Sequence, residues 1–196
     1  MVDSILSFLQ EAIRLKKMVR SGWIYSGVSK SDTESVADHS YMITLIAMIL
    51  ALREKEKGSK INVEKVIVMA ILHDLPESVS QDLDRRIRKY SPEKYDIFKE
   101  DLDSEAMKFL LTNLPTKINK QLLLIYQELR RKESLEAKLI LEADRLETIL
   151  QMNDYIQRGY PKELFNEFFG NFSDEVNEFE NEDASKLAKL LLEEAK

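Results

Sequence analysis

Four side chains of metal-binding type fall on faces that a folded chain would bury: His39, the adjacent pair His73 and Asp74, and Asp144. The chain has only two histidines, and both are in this set. His73 follows the apolar run "VIVMAIL", and in a helix Val66, Met69 and Ala70 share its face. Ile43 and Ile46 follow His39 at helical spacing, and Ile140 and Leu141 lie one turn before Asp144. A buried imidazole or carboxylate left unpaired costs several kcal/mol, so something must satisfy each one. Two imidazoles and two carboxylates make a mixed nitrogen and oxygen set, better suited to Mn, Fe, Co, Ni or Zn than to Ca or Mg. Four protein ligands leave places in a six-coordinate shell for water and a substrate oxygen, as metal-assisted hydrolysis requires. Each residue also has an ordinary reading. A buried histidine can be a hydrogen-bonded core residue, and Asp144 can pair structurally with an arginine such as the adjacent Arg145. The spacing carries no local signature of the zinc-finger kind, so the residues alone leave both readings open.

Helices must position these groups. There are five glycines and four prolines, and helical periodicity recurs from end to end. The pattern predicts an all-α chain, a single compact domain over residues 1–196 with roughly eight or nine helices. A first helix is expected over 3–20, then a loop, "RSGWIYSGVSKSDTE". Ser35, with Asp38 three residues on, opens a helix over 35–56, which Gly58 closes. Asn62 caps the next, to about residue 75, and a short charged helix is expected near 82–89. Ser91 and Pro92 start a helix that Pro115 ends near residue 113. Others are expected over 116–131 and, from Ser134, to 157; two C-terminal helices, 161–170 and 173–195, complete the chain.

Composition limits the function classes. The 29 basic and 35 acidic residues give a net charge of −6, with no basic stripe of the kind that grips a nucleic-acid polymer. With no cysteine, disulfides, thiolate metal sites and cysteine nucleophiles are excluded. The start "MVDSILSFLQ" lacks a basic region before a long apolar stretch, as a signal peptide would have. The apolar run from Tyr41 to Leu52 is too short to span a bilayer. The expectation is a cytoplasmic protein without a membrane segment.

The set His39, His73-Asp74 and Asp144 on a helical scaffold resembles the HD-domain superfamily of metal-dependent phosphohydrolases. The segments "SGWIYSGV", "TESVADHSYMITLIAMILA", "AILHDLPESVSQDL" and "EAKLILEADRLETILQMNDYI" are similar to its 5′-deoxynucleotidase branch, from about Trp23 to Tyr155. The resemblance implies one divalent metal (Mn, Co, Zn, Fe or Ni) held by His39, His73, Asp74 and Asp144. It implies removal of the 5′-phosphate from nucleoside monophosphates. Glu77, which ends "HDLPE", matches the family's proposed catalytic carboxylate; Asp82 matches a sugar contact and Trp23 an aromatic lining the nucleotide site. If the helix continues past His73, Glu77 lies one turn beyond it. Some members carry arginine just before the tryptophan as a phosphate contact. Here that residue is Gly22, with Arg20 two further back, so Lys30, Arg85 and Arg86 become candidate phosphate cations by chain proximity. Dinuclear HD enzymes need further histidines that this chain lacks, which favours one metal and a monoester. Another small phosphate as substrate, or a non-catalytic helical module, are the rival readings. The resembling family forms homodimers, so a homodimer is expected; the Phe-rich stretch "FNEFFGNFSDEVNEF" reads first as core and second as a dimer face.

Overall fold

The computed structural model describes residues 2–194, except the side chains of 171, 173 and 174. Residues 1, 195 and 196, part of the expected 1–196 span, lie outside the described residues. The helices are α1 (Val2–Ala12), α2 (Ser21–Ser26), α3 (Val36–Glu56), α4 (Val63–Leu72), α5 (Glu77–Ser80), α6 (Pro92–Thr112), α7 (Thr116–Arg131), α8 (Leu135–Gln157), α9 (Asn166–Glu175) and α10 (Glu182–Glu194). Short 3₁₀ turns join several of them, and the described residues form no β-sheet, as the periodicity predicts.

Local chemistry sets the starts. Ser35 and Asp38 form a reciprocal capping box on α3: Ser35 Oγ accepts from the Asp38 amide, and Asp38 Oδ2 accepts from the Ser35 amide. Asn62 accepts from the Lys65 amide to cap α4, and Ser134 from the Ala137 amide to cap α8. Helix α3 packs on α4 and α8, α4 packs on α8, and α10 lies along α8. One apolar cluster runs through these contacts, with Ile43, Val66, Met69, Leu139, Ile140 and Ile149 almost fully buried. The run from Tyr41 to Leu52 belongs to the longer helix α3, which by length and composition alone could cross a bilayer. That helix carries His39 in its first turn.

Several boundaries differ from the periodicity. The short charged helix expected near 82–89 is a 3₁₀ turn over Arg85–Lys89, opened by Asp84, whose carboxylate accepts from the Arg86 amide. The helix expected over 161–170 is a 3₁₀ turn over Lys162–Phe165 that runs on into α9. Helix α1 stops at Ala12, and a 3₁₀ turn over Ile13–Lys17 follows. Residues 18–20 then run extended beside 34–36, with Val36 donating to the Met18 carbonyl at 2.8 Å and Arg20 donating to the Glu34 carbonyl at 3.0 Å. The expected loop after residue 20 contains α2, closed by Gly27 at φ 102°, where a left-handed backbone favours glycine. Helix α4 ends at Leu72 because Pro76, four residues on, cannot donate to the carbonyl there and its ring crowds that turn. At the C-terminus, Gly170 does not break the helix. The break comes at Phe179–Asn181, where Glu142 of α8 accepts the amides of Glu180 and Asn181, and Asn181 caps α10 through the Ala184 amide.

Trp23 of α2 is 1% exposed. Its ring stacks on Phe168 at 4.7 Å and meets Tyr155 and Phe165 edge-on at 5.3 and 5.9 Å. Its indole N–H donates to Glu34 Oε1 at 2.8 Å. Trp23→Ala is expected to cost about 3–5 kcal/mol, read as a lower midpoint in urea unfolding, because the cavity opens between three rings and a buried carboxylate loses its donor.

Candidate metal centre

The four ligand-type residues come from three places in the fold. His39 is in the first turn of α3, His73 caps the end of α4, Asp74 begins the bend before Pro76, and Asp144 is midway along α8. His39 Nε2 is 3.3 Å from Asp144 Oδ1 and 3.5 Å from Asp74 Oδ2. The other Asp74 oxygen is 3.1 Å from His73 Nε2. The imidazole rings are 5.7 Å apart and tilted at 49°. Ligand atoms of His39, His73 and Asp74 all lie within 4.8 Å of one another.

Two observations test whether a metal fits this set. His39 Nε2, which faces Asp74 and Asp144, is buried and makes no hydrogen bond among the described residues. Such an orphaned nitrogen is costly unless a cation claims it. The carboxylates around His39 also demand positive charge. Burial and Arg20 work against protonation of His39, yet Glu147 and Asp144 outweigh them and push it up to about 10. A metal ion bound there would supply that charge in place of the proton. Burial lowers His73 instead, despite Asp74 and Asp144, and keeps it in the neutral form that ligates. Burial opposes ionisation of Asp144, but Arg145 and the two imidazoles hold its carboxyl well below the usual range. The residues fit a borderline divalent cation.

Glu147 lies one turn after Asp144 on α8, so the two carboxylates bracket one imidazole, Glu147 Oε2 standing 2.5 Å from His39 Nδ1. A carboxylate that accepts from the far nitrogen of a ligating histidine fixes its tautomer and aim. Glu147→Gln is expected to weaken metal affinity about 10–100-fold, measured by competition with a chelating dye, without changing the fold.

Helix α4 does not continue to Glu77, the condition under which Glu77 would lie one turn beyond His73. The bend over His73–Pro76 ends one helix and Glu77 opens α5, its amide donating back to the Asp74 carbonyl. The side chain is still brought near the centre, 5% exposed. Lys99 of α6 donates to Glu77 Oε1 at 2.9 Å and also pairs with Asp103 at 3.0 Å, while Glu77 Oε2 is buried without a partner. Burial and the charge of Asp74 raise the Glu77 carboxyl well above its ordinary value against the pull of Lys99.

The other sequence candidates divide. Asp82 Oδ2 accepts from the Ser21 amide at 2.5 Å, so it caps α2 across the fold rather than the charged turn that follows it. The residue before it, Gln81, is held at φ 70° and ψ 157°, a conformation close to glycine-only. The structure places Trp23 in the core, with one ring face covered by Phe168. Lys30 lines a separate open cleft with Arg14, Lys17 and Asp82. Arg86 is engaged by Asp84, by the Gly22 carbonyl and by the ring of Tyr25. Arg85 lies 4.0 Å from Glu175.

Five residues at the centre were not singled out as site residues in the sequence: Arg20, Glu34, Lys99, Arg145 and Glu147. The extended pairing of 18–20 with 34–36 delivers Arg20, whose guanidinium is 3.9 Å from Asp74. Burial opposes its charge, but Asp82, Asp74, Glu34 and Asp144 hold it more firmly protonated than usual. Glu147 alone left a signal, an acid at i+3 from Asp144 on an otherwise apolar face.

A profile of the HD domain family matches residues 12–192. The 5′-deoxynucleotidase HDDC2 of Homo sapiens is 28% identical over 174 residues, covering 89% of this chain and 79% of its own. Its counterpart in Dictyostelium discoideum is 31% identical and covers 83% of each chain. The solved structure of a conserved hypothetical protein from Pyrococcus furiosus is 32% identical, covers 97% of this chain and 98% of its own, and superposes with a TM-score of 0.75. With the HD pair seated among its metal-type neighbours, the chain belongs to the HD domain family of metal-dependent phosphohydrolases.

Proposed function

We propose that this protein removes the 5′-phosphate from deoxyribonucleoside or ribonucleoside monophosphates at a single divalent metal, held by His39, His73, Asp74 and Asp144. The observation that carries the reading is the convergence of these groups, with His39 Nε2 facing Asp74 and Asp144, His73 Nε2 facing Asp74, and the buried carboxyl of Glu77 alongside. The names of the curated relatives support the choice of substrate. The metal, Mn, Co, Zn, Fe or Ni, would supply a water of lowered pKa and a Lewis acid for the phosphoryl oxygens.

The chain's own residues do the rest. Glu147 fixes the His39 ring. Arg20 sits beside Asp74, where it offsets the excess of carboxylates. Glu77 holds a proton more readily than an ordinary carboxyl and gives it to the leaving 5′-oxygen. Lys99 fixes one Glu77 oxygen and leaves the other free to act. No covalent intermediate is needed.

The proposal extends to a cytoplasmic homodimer. Val2, Ile5, Leu6, Leu9 and Ile13 recur at helical spacing along α1 and the turn after it, and all are exposed. Light scattering that gives the monomer mass at micromolar concentration would remove the dimer.

The test of function is phosphate release from metal-stripped protein reloaded with Mn, Co, Zn or Mg. The substrates are deoxyribonucleoside and ribonucleoside monophosphates, with triphosphates alongside. Metal-dependent release from the monophosphates supports the reading. Pyrophosphate release from triphosphates, or no release from any nucleotide despite stoichiometric metal, overturns it.

A further inference from the structure

Arg145 stands between the metal centre and the C-terminal segment. Its Nη1 is 3.3 Å from Asp144 Oδ2, and its Nε forms an ion pair with Glu175 Oε2 at 2.6 Å. Arg85, in the 3₁₀ turn after Asp84, lies 4.0 Å from the other oxygen of the same carboxylate. One carboxylate from the last residue of α9 therefore sits between two guanidinium groups from different parts of the chain. The two cations repel: after burial, Arg145 is the main influence that makes Arg85 harder to charge, with Asp144 and Glu175 opposing.

An arginine beside a ligand-type aspartate, joined through a single carboxylate to a second arginine, has the form of an oxyanion site holding an anion of the protein's own. Guanidinium groups match phosphate in two-point geometry. The other cations near the centre are more fully committed. Arg20 faces four carboxylates, Lys99 bridges Glu77 and Asp103, and Arg86 holds Asp84 and a backbone carbonyl. Glu175 is the more open partner. Its side chain is 33% exposed, against 7% and 6% for the Glu77 and Asp103 that hold Lys99 and 11% for the Asp84 that holds Arg86, and its contact with Arg85 is long, at 4.0 Å. An ion pair open to solvent exchanges more readily than a buried one.

We propose that Arg145 and Arg85 are the phosphate clamp of this enzyme, and that Glu175 occupies the clamp until a phosphate ester displaces it. The clamp rests on the reading that a phosphate ester is the substrate. It takes the place of the arginine that Gly22 replaces. Arg145 and Arg85 bind the phosphoryl oxygens that face away from the metal, and Glu175 moves out toward solvent.

Inorganic phosphate is the probe, titrated by calorimetry into the metal-loaded protein, with metal content and KM for nucleoside monophosphates measured alongside. Arg145→Ala and Arg85→Ala are each expected to weaken phosphate binding and raise KM roughly 10-fold or more, at unchanged metal stoichiometry. Glu175→Gln, which removes the competitor, is expected to tighten phosphate binding several-fold. This opposite sign is one that a purely structural ion pair would not give. If Arg145→Ala does not fold, Arg145→Lys, which keeps the charge but not the fork, carries the comparison with Glu175→Gln. Unchanged phosphate affinity in both arginine variants overturns the clamp, as does Glu175→Gln weakening binding as the arginine variants do. Nucleotide hydrolysis with KM indifferent to both arginines leaves the proposed function standing and removes the clamp. Arginine-dependent phosphate binding without turnover of any nucleotide does the reverse.

Discussion

Asp144→Asn is expected to abolish metal-dependent phosphate release, by about 10³-fold or more, equivalent to roughly 4 kcal/mol of transition-state stabilisation. The substitution keeps the size and shape of the side chain while removing the charge. Asp144 is the only carboxylate of α8 that faces His39 Nε2, at 3.3 Å, and the Arg145 beside it would then lack its nearest anion on that side. Metal affinity is expected to fall at least about 100-fold, beyond the loss from an orienting carboxylate. The fold is expected to survive, because Asp144 is 21% exposed and asparagine keeps its size and shape. Circular dichroism checks the fold, and metal analysis after dialysis checks the site. A variant that retains full metal and full activity would remove Asp144 from the ligand set.

Glu77→Gln is expected to behave differently: metal stays bound while kcat falls about 10²–10⁴-fold, the range for loss of a general acid. The glutamine still accepts from Lys99 through its carbonyl, so position is conserved and proton transfer is lost. Lys99→Ala is expected to act in the same direction and more weakly, since Asp103 and Ser80 remain but no longer reach Glu77 through the ammonium. Single-turnover phosphate release against metal occupancy separates the two. A Glu77→Gln protein with unchanged kcat would sink the assignment of the proton to this residue.

The fold class and the four ligand-type residues were legible because they depend on short-range pattern. Helical periodicity put His39, His73 and Asp144 on apolar faces, and the caps Ser35, Asn62 and Ser134 announced their helices one by one. Residues delivered by long-range contacts were not legible. Arg20 reaches Asp74 only because residues 18–20 pair with 34–36, and a helical reading over 3–20 hid that pairing. Lys99 meets Glu77 from a helix whose pattern says nothing about what it packs against. Asp82 matches a sugar contact by resemblance, and its place just before the charged turn would equally suit a cap for that turn. It caps α2 instead, 61 residues earlier in the chain, and nothing local distinguishes the two. The break at Phe179–Asn181 has the same origin, since it is imposed by Glu142 of another helix while the visible glycine at 170 is absorbed.

Helix α8 carries Asp144, Arg145 and Glu147 within a single turn. The ligand-type residue, the cation next to it and the acid that aims His39 therefore share one rigid rod and cannot be adjusted independently. A tilt of that rod by a fraction of a helical turn would misplace all three at once. The seat of the rod is the layer where α10 lies along it, with the small residues Ala184 and Ala188 fully buried. The site is thus tuned as a unit from the far side of the helix. Natural variation in the α10 seat would move metal affinity and phosphate affinity together, and single changes would rarely trade one against the other.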